Sequence, residues 1–431
     1  MPGDAALGTV LRDLRQTRKL TLAAVARRAG CAESQLSYVE SGRRRLHPWL
    51  AEQLDTIYNT GGVVTSLLQV PDAASCSSSS TRVPNDYVLH VQVPGGGGPV
   101  AISRRDLLAS LGIGLLASPT LTRLEQALGE VRADHDALVA LTQALDRYQA
   151  AARILPPTRL LDALTAQVAV LDSLRRRADP ALRRDYLALQ ARYAESLSWL
   201  SEEADRSEDA LFWTDRATQW AQSSGWTAMT AYTFVRRSMM AISFASDGHR
   251  AVDHAQAAYD MPGAPTRIRG LAAKQMAFGH ALAWEPDASA RALDQTMTLL
   301  AKPSDDGREL GQRSVVSDDL YAIFRTTCDI YLGKGEAAIT VLEPRLAALS
   351  NASARTATIT RAKLAHAYAN VGQPHEAARY AWQAIDEATT LQSLSARSEL
   401  RRAMPVLRQW HKRSEVADVL HRLQGDGPTT A

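Results

Sequence analysis

The sequence predicts an all-α protein in which a small N-terminal helical domain precedes a long region of helical repeats. Apolar residues recur with the period of a helix over the first sixty residues and again from about Leu107 to Leu423. With 431 residues, the chain is too long for one ordinary hydrophobic core. Residues 1–70 carry nine Lys and Arg against six Asp and Glu, whereas the rest of the chain carries 40 of each. Such asymmetry is typical of a nucleic-acid-binding module joined to a neutral region.

The composition argues against several classes of protein. Hydrophobic residues at 45% and charged residues at 22% are typical of a globular chain. The N-terminus has no secretory leader, and no apolar run approaches the roughly 20 residues that span a bilayer. Cys31, Cys76 and Cys328 lie far apart without CxxC spacing, which favours neither a disulfide framework nor a zinc site. We therefore expect a cytoplasmic protein without metal or cofactor.

The first four helices follow from local signals. Leu7, Val10, Leu11 and Leu14 define an amphipathic first helix. Thr21 is a suitable N-cap for a short second helix, which Gly30 ends. A third helix is predicted over Glu33–Ser41 and is closed by Gly42; a fourth begins near Pro48.

Two short helices joined by a glycine-containing turn predict a helix-turn-helix, whose second helix enters the major groove of DNA. Gln suits a bidentate contact with adenine, and Glu can accept a hydrogen bond from cytosine. The predicted base-reading residues are Glu33, Ser34, Gln35, Ser37 and Tyr38. The predicted phosphate contacts are Thr21, Arg27, Arg28, Arg43, Arg44 and Arg45. The alternative is a generic four-helix bundle with a solvated basic face.

The run LGTVLRDLRQTRKLTLAAVARRAGCAESQLSYVESGRRR resembles the Xre/Cro family of helix-turn-helix regulators. The resemblance covers about the first sixty residues. Two positions depart from the family pattern, since Leu22 stands where the family often has Gln and Ala32 where it usually has a Ser N-cap. The second departure should weaken the cap of the third helix by ~1 kcal/mol unless Glu33 compensates through the helix dipole.

A linker is predicted over residues 70–103, because Pro, Ala and Ser dominate its first part. Two β-favouring runs, Tyr87–Val93 and Val100–Ile102, flank a Gly/Pro turn and suggest a short β-hairpin. The stretch Ser103–Ala117 resembles a twin-arginine export signal and contains a GxGxxA match to a dinucleotide-binding loop. Its internal position and the lack of a preceding strand favour a helix that packs on the following domain.

Small residues recur through the predicted helical-repeat domain, residues 104–425. Ala210, Ala251, Ala292, Ala337 and Ala377 lie 41, 41, 45 and 40 residues apart, which is typical of stacked helix hairpins. The last unit, ATITRAKLAHAYANVGQPHEAARYAWQAIDEA, is similar to a tetratricopeptide repeat. The earlier units match loosely, so the region is tetratricopeptide-like or, alternatively, an irregular all-α array.

The resemblance to tetratricopeptide repeats implies a concave groove lined by the first helix of each hairpin. Its positions in this chain are Arg192, Glu195, Trp199, Arg236, Met240, Lys274, Trp284, Thr326, Asp329, His366 and Asn370. Mixed charge with two Trp suits a peptide or a small polar-aromatic ligand. The alternative is that the Trp residues and His366 serve helix packing.

No catalytic motif is visible in the sequence, so we predict a protein that is not an enzyme. An Xre-like domain joined to a helical-repeat region resembles bacterial regulators that act as homodimers and sense a peptide or small signal. The resemblance implies that this chain binds double-stranded DNA at a palindromic operator. The alternative is an interaction scaffold whose repeats dock a protein partner, with the helix-turn-helix as a DNA tether.

Overall fold

A computed structural model describes residues 5–58, 60, 63–68, 88–91, 100–103, 131–302, 310–311 and 320–425. Internal contacts divide the chain into two compact units, Met1–Leu200 and Ser201–Ala431. We describe each unit by itself, and elements are labelled in chain order.

In its described part, the first unit contains five short helices, a β-hairpin and three longer helices, the last of which ends in the second unit. The short helices are α1 Ala5–Thr17, α2 Leu22–Ala29, α3 Glu33–Glu40, α4 Pro48–Tyr58 and α5 Val63–Leu68. The strands are β1 Val88–Val91 and β2 Val100–Ser103. The longer helices are α6 His135–Ala151, α7 Thr158–Arg177 and α8 Arg183–Glu203.

The core of the five short helices is built from buried aliphatic side chains of every helix, among them Leu11, Val25, Leu36, Leu50 and Leu67. Burial of each such side chain stabilises the fold by roughly 1.5–3 kcal/mol. Of the predicted apolar face of α1, Leu7, Val10 and Leu11 are buried and Leu14 is half-buried.

Helix α5 joins this small domain to the longer helices of the same unit. Asp55 of α4 accepts hydrogen bonds from the backbone N–H groups of Val64 and Thr65, both at 2.8 Å, and so caps α5. At the other end of α5, the Arg159 guanidinium of α7 donates to the Leu67 carbonyl at 3.3 Å. Helix α5 packs against both α6 and α7.

Strands β1 and β2 pair antiparallel, with Val88 opposite Ser103 and Val91 opposite Val100. The predicted hairpin is therefore present. The serine-rich part of the predicted linker lies outside the described residues, as does residue 104 onward of the Ser103–Ala117 stretch.

The second unit consists of helices in its described part. They are α9 Ser207–Ser224, α10 Thr227–Met240, α11 Gly248–Asp260, α12 Thr266–Leu282, α13 Pro286–Leu300, α14 Leu320–Tyr331, α15 Glu336–Leu342, α16 Leu346–Ala352, α17 Ala354–Asn370, α18 Pro374–Leu391, α19 Leu394–Leu407 and α20 Ser414–Gly425. Helices that follow one another from α9 to α13 pack together, as do α17, α18 and α19. The all-α fold class is confirmed.

Left-handed backbone recurs just before the second helix of successive hairpins. The residues concerned are Asp205 (φ 61), Ser246 (φ 52), Trp284 (φ 60), Gly333 (φ 76) and Gly372 (φ 73). Each lies one or two residues before the N-cap of the next helix. One turn geometry is therefore used repeatedly, although only two of the five positions carry the glycine that tolerates it without strain.

Glycine also permits close helix crossings in this unit. A Cβ on Gly248, the first residue of α11, would lie 2.4 Å from the Gly279 carbonyl oxygen of α12. A Cβ on Gly335, the N-cap of α15, would lie 2.1 Å from the Ala367 carbonyl oxygen of α17. In both places the start of one helix touches the end of a later one, and any larger residue would push the backbones apart.

The helix starts refine the small-residue repeat. Ala210, Ala251 and Ala377 are each the fourth residue of their helix and are fully buried. In α13 the fourth residue is Ser289, whose hydroxyl donates to the Ala277 carbonyl at 2.8 Å. Ala292, which the sequence spacing selected, lies one turn later.

At the fourth position of the series, the spacing selects Ala337, which lies one residue before the alanine that is buried. Ala337 is exposed, whereas the neighbouring Ala338 is fully buried. Because helix starts are 38 to 50 residues apart, a fixed period of about 41 cannot select the right residue in every hairpin.

None of the described helices is both long enough and apolar enough to cross a bilayer.

Candidate nucleic-acid interface and candidate groove

The turn between α2 and α3 forms through its own local interactions. Thr21 caps α2 by accepting a hydrogen bond from the Ala24 N–H at 3.2 Å. Gly30 follows α2 with φ 65, in the left-handed region where glycine is least strained. Helix α3 then begins after Ala32, which makes no side-chain cap. Glu33 in the first turn of α3 complements the positive end of the helix dipole.

Helix α1 holds α3 in position by a close approach of backbones. A Cβ on Gly8 would lie 2.6 Å from the carbonyl oxygens of both Val39 and Glu40, so only glycine fits there. Leu36 and Val39 of α3 are buried in the same core. One face of α3 is therefore fixed against the domain, and the opposite face is left to solvent.

A buried ion pair locks the same contact. Glu40 is 4% exposed and accepts two hydrogen bonds from the Arg15 guanidinium, each 2.7 Å long. These hydrogen bonds raise the pKa of Arg15. The Arg12 guanidinium adds a bond to the Glu40 carbonyl at 3.1 Å. Arg12 and Arg15 thus tie α1 to α3.

The polar face of α3 is open to solvent. Glu33, Ser34, Ser37 and Tyr38 are exposed, with Tyr38 at 47%, and Gln35 is half-buried. These five are the predicted base readers, and the helix presents them along its length from the first residue to the sixth.

Exposed arginines flank this face. Arg27 and Arg28 lie in the last turn of α2, and Arg43, Arg44 and Arg45 follow α3. The backbone N–H groups of Arg43 and Arg44 both donate to the Tyr38 carbonyl, at 2.8 and 3.0 Å, and Gly42 between them and the helix has φ 68. This turn fixes the arginine run at the C-terminal end of α3. Thr21 is exposed, with its hydroxyl oxygen used in the cap of α2.

The predicted groove residues are divided between the two units. In the first unit, Glu195 is buried, Trp199 is half-buried, and Arg192 pairs with Asp146 at 3.1 Å. The other eight lie in the second unit, where Arg236, Met240, Lys274, Thr326 and His366 are buried. The predicted groove stays a prediction.

The remaining three groove candidates are closer to the surface. Asp329 pairs with Arg325 at 3.7 Å, and the Asn370 amide donates to the Ile330 carbonyl at 2.9 Å. Trp284 is 69% exposed in left-handed backbone, and a Cβ on Gly333 would lie 3.4 Å from its ring.

Sequence reasoning missed the buried charges of the second unit. Glu203 accepts hydrogen bonds from Arg355 at 2.8 Å and Ser393 at 2.7 Å, and also from Ser395. Glu202 pairs with Arg236 at 2.5 Å. A helical sequence offers no local sign of these pairs because the partners are 34 to 192 residues apart. Among the described residues there is no cluster of three or more His, Cys, Asp or Glu side chains that could hold a metal.

Comparison with known proteins identifies the N-terminal region. Residues 6–68, which comprise nearly all of α1 to α5, match the model of a family described as a helix-turn-helix domain. A helix-turn-helix domain of this kind indicates a DNA-binding regulator. Comparison with curated proteins gives no match.

Proposed function

We propose that this protein is a sequence-specific DNA-binding transcription regulator of the Xre type that reads its operator with α3. The observation that carries the proposal is the surface of the helix-turn-helix domain. It exposes short polar side chains on α3, such as Glu33 and Ser34, between two groups of exposed arginines. Short polar side chains suit base edges, and arginines suit phosphates.

The regulator acts as a homodimer on a palindromic operator. A single eight-residue recognition helix buries too little surface for tight specific binding. Two copies would read two half-sites ~34 Å apart, or a multiple of that spacing.

The tetratricopeptide-like helical region senses a peptide or a small molecule and controls DNA binding. Support comes from the packing of α5 against α6 and α7, which includes a hydrogen bond from Arg159 to the Leu67 carbonyl. This contact gives the helix-turn-helix domain a fixed attachment to longer helices rather than a free tether. A shift of α7 would therefore be transmitted to α5.

Two substitutions test the DNA-binding proposal. An operator is first selected from random DNA with the full chain, and affinities are measured by gel shift. Gln35→Ala should weaken binding to the operator by about 1–3 kcal/mol through the loss of contacts at defined base pairs, and it should leave binding to other DNA sequences unchanged. Arg44→Ala should weaken binding to all DNA sequences similarly. It should also reduce the slope of the logarithm of the binding constant against the logarithm of salt concentration by roughly one unit. Arg291→Ala, an exposed arginine of α13, is the matched control and should change neither quantity.

If neither Gln35→Ala nor Arg44→Ala changes binding, α3 is not the recognition helix. If the full chain selects no operator over random DNA, sequence-specific regulation is wrong.

A scaffold function is the second candidate, and exposed apolar side chains favour it. Leu211 and Phe212 of α9 are 41% and 38% exposed, and Trp284 is 69% exposed. In this alternative the helical region docks a protein partner and the helix-turn-helix domain only tethers the complex to DNA. It predicts that Phe212→Ser abolishes capture of the partner without any change in DNA affinity.

A further inference from the structure

A buried lysine in the second unit has no anionic partner among the described residues. Lys274 of α12 is 4% exposed. Its ammonium lies 5.7 Å from the ring centre of Phe278 and 5.3 Å from that of Phe324. The contacts of its Nζ atom seen in the described part of the chain are these two ring faces. A buried ammonium without a counter-charge is costly, and contact with ring faces offsets part of that cost.

More cations surround this lysine. Burial, together with the positive charges of Lys363 and Arg267, lowers the pKa of Lys274 to about 7. Lys363 of α17 donates from its own ammonium to the Thr327 hydroxyl of α14 at 2.8 Å. Both ammonium groups therefore lie against α14, Lys274 at the ring of Phe324 and Lys363 at the Thr327 hydroxyl three residues later.

The nearby Glu399 carboxylate is paired through its Oε1 atom, whereas its buried Oε2 atom has no hydrogen-bond partner in the described part of the chain. Glu399 of α19 accepts hydrogen bonds from Arg402 at 2.9 Å and from the Tyr331 hydroxyl at 2.5 Å. Although burial opposes its ionisation, Arg402 and Lys363 bring the pKa of Glu399 down to about 2. Its negative charge offsets one of the three cations Lys274, Lys363 and Arg402, which leaves this group of side chains with an excess of positive charge.

A second unsatisfied group lies on the same helix as Lys363. His366 follows it by three residues on α17, is 7% exposed, and has an Nδ1 atom with no hydrogen-bond partner in the described part of the chain. Burial lowers its pKa to about 4, so the ring is neutral at pH 7 and can donate or accept a hydrogen bond. Buried polar atoms of this kind normally have a partner.

We propose that Lys274, Lys363 and His366 form a binding site for a small organic anion, whose charged end is a carboxylate or a phosphate. The two lysines neutralise the anion, His366 gives a hydrogen bond, and the rings of Phe278 and Phe324 contact its apolar part. The inference rests on the proposed sensing function and names the chemical class of the signal.

The test compares an anion with its neutral analogue on the full chain. Benzoate, benzamide and inorganic phosphate are titrated by isothermal calorimetry. Benzoate should bind saturably and benzamide should not, because only the former supplies charge. Phosphate binding alone would assign the site to phosphate groups; benzoate binding alone would assign it to carboxylates.

Variants locate the site. Lys274→Met should weaken anion binding at least tenfold, and Lys363→Gln should weaken it as well; the exposed Lys334→Met is the control and should leave it unchanged. Circular dichroism checks that each variant folds. The inference is overturned if neither anion binds the wild-type chain saturably, or if folded Lys274→Met and Lys363→Gln variants both bind as the wild type does.

Gel shifts on the selected operator separate this inference from the proposed function. If benzoate or phosphate binds through Lys274 but operator affinity stays constant, the anion site is supported and its role in sensing is wrong. If no anion binds but a peptide changes operator affinity, the anion site fails and the sensing function stands.

Discussion

Glu40 shows how one buried carboxylate can organise the proposed DNA-binding surface without being part of it. Its side chain binds Arg15, and its carbonyl oxygen binds Arg12 and lies against Gly8, so α1 and α3 meet at this residue. The sequence predicted the Thr21 cap and the Gly30 turn because both depend on neighbours along the chain. It could not predict the Glu40 pair, whose partner is 25 residues away.

Replacing Glu40 with Gln should loosen the domain locally. The change leaves the Arg15 guanidinium without its carboxylate, and breaking a buried pair typically costs about 3 kcal/mol. Hydrogen exchange followed by mass spectrometry should show amides of α1 and α3 exchanging roughly 100-fold faster. Glu52→Gln, at an exposed position of α4, is the control. Equal protection in wild type and Glu40→Gln would contradict the structural role of the pair.

Lys274 makes stability depend on pH. Its pKa is about 7 in the folded chain and 10.5 ordinarily, so between these values the unfolded chain binds more protons and stability increases with pH. Below about pH 7 Lys274 is charged in the folded chain as well, so the full free-energy cost of burying its charge lowers stability. Lys274→Met should therefore be more stable than wild type at pH 6, by about 2–5 kcal/mol, and the difference should vanish near pH 10.

Urea denaturation at pH 6, 8 and 10 measures this difference. Lys334→Met, at an exposed lysine, should show no such trend. A stability difference between Lys274→Met and wild type that is constant from pH 6 to pH 10 would rule out a depressed lysine pKa.

At the scale of elements, the second unit depends on where helices cross as much as on their apolar faces. The apolar period predicted the helices because it depends on residues three and four apart. It did not predict the spacing of the hairpins, which varies between 38 and 50 residues because loops and helices differ in length. For that reason Ser289 and Ala338 stand where the sequence repeat selected Ala292 and Ala337.

Gly335→Ala tests the crossing of α15 on α17. The added methyl would lie 2.1 Å from the Ala367 carbonyl oxygen, so the helices must separate. Overpacking of this kind costs about 1–3 kcal/mol, which urea denaturation should detect as a lower midpoint. Ala337→Ser, at an exposed position two residues later, should leave the midpoint within error. An unchanged midpoint for Gly335→Ala would mean that the crossing yields without cost.

At the scale of the whole molecule, the proposed homodimer makes a geometric prediction about DNA. Two recognition helices related by a two-fold axis require half-sites on one face of the duplex. Inserting five base pairs between the half-sites rotates one half-site relative to the other by about half a helical turn and should weaken binding at least 100-fold. Inserting ten base pairs should restore much of the affinity. Gel shifts measure both. Equal affinity for all three spacings would argue for binding as independent monomers.

The sequence by itself determined the helix-turn-helix, its caps, its exposed arginines, the β-hairpin and the all-α class. These features depend on residues close together in the chain, where spacing and local hydrogen bonds suffice. The tertiary structure decided which charges are buried and what each one meets. Glu40, Lys274 and Glu399 look alike in sequence to solvated helix residues, and only the packing of distant helices removes them from water. The excess positive charge of residues 1–70 includes the exposed arginines that precede and follow α3, whereas the buried cations of the second unit belong to a part of the chain with equal numbers of basic and acidic residues.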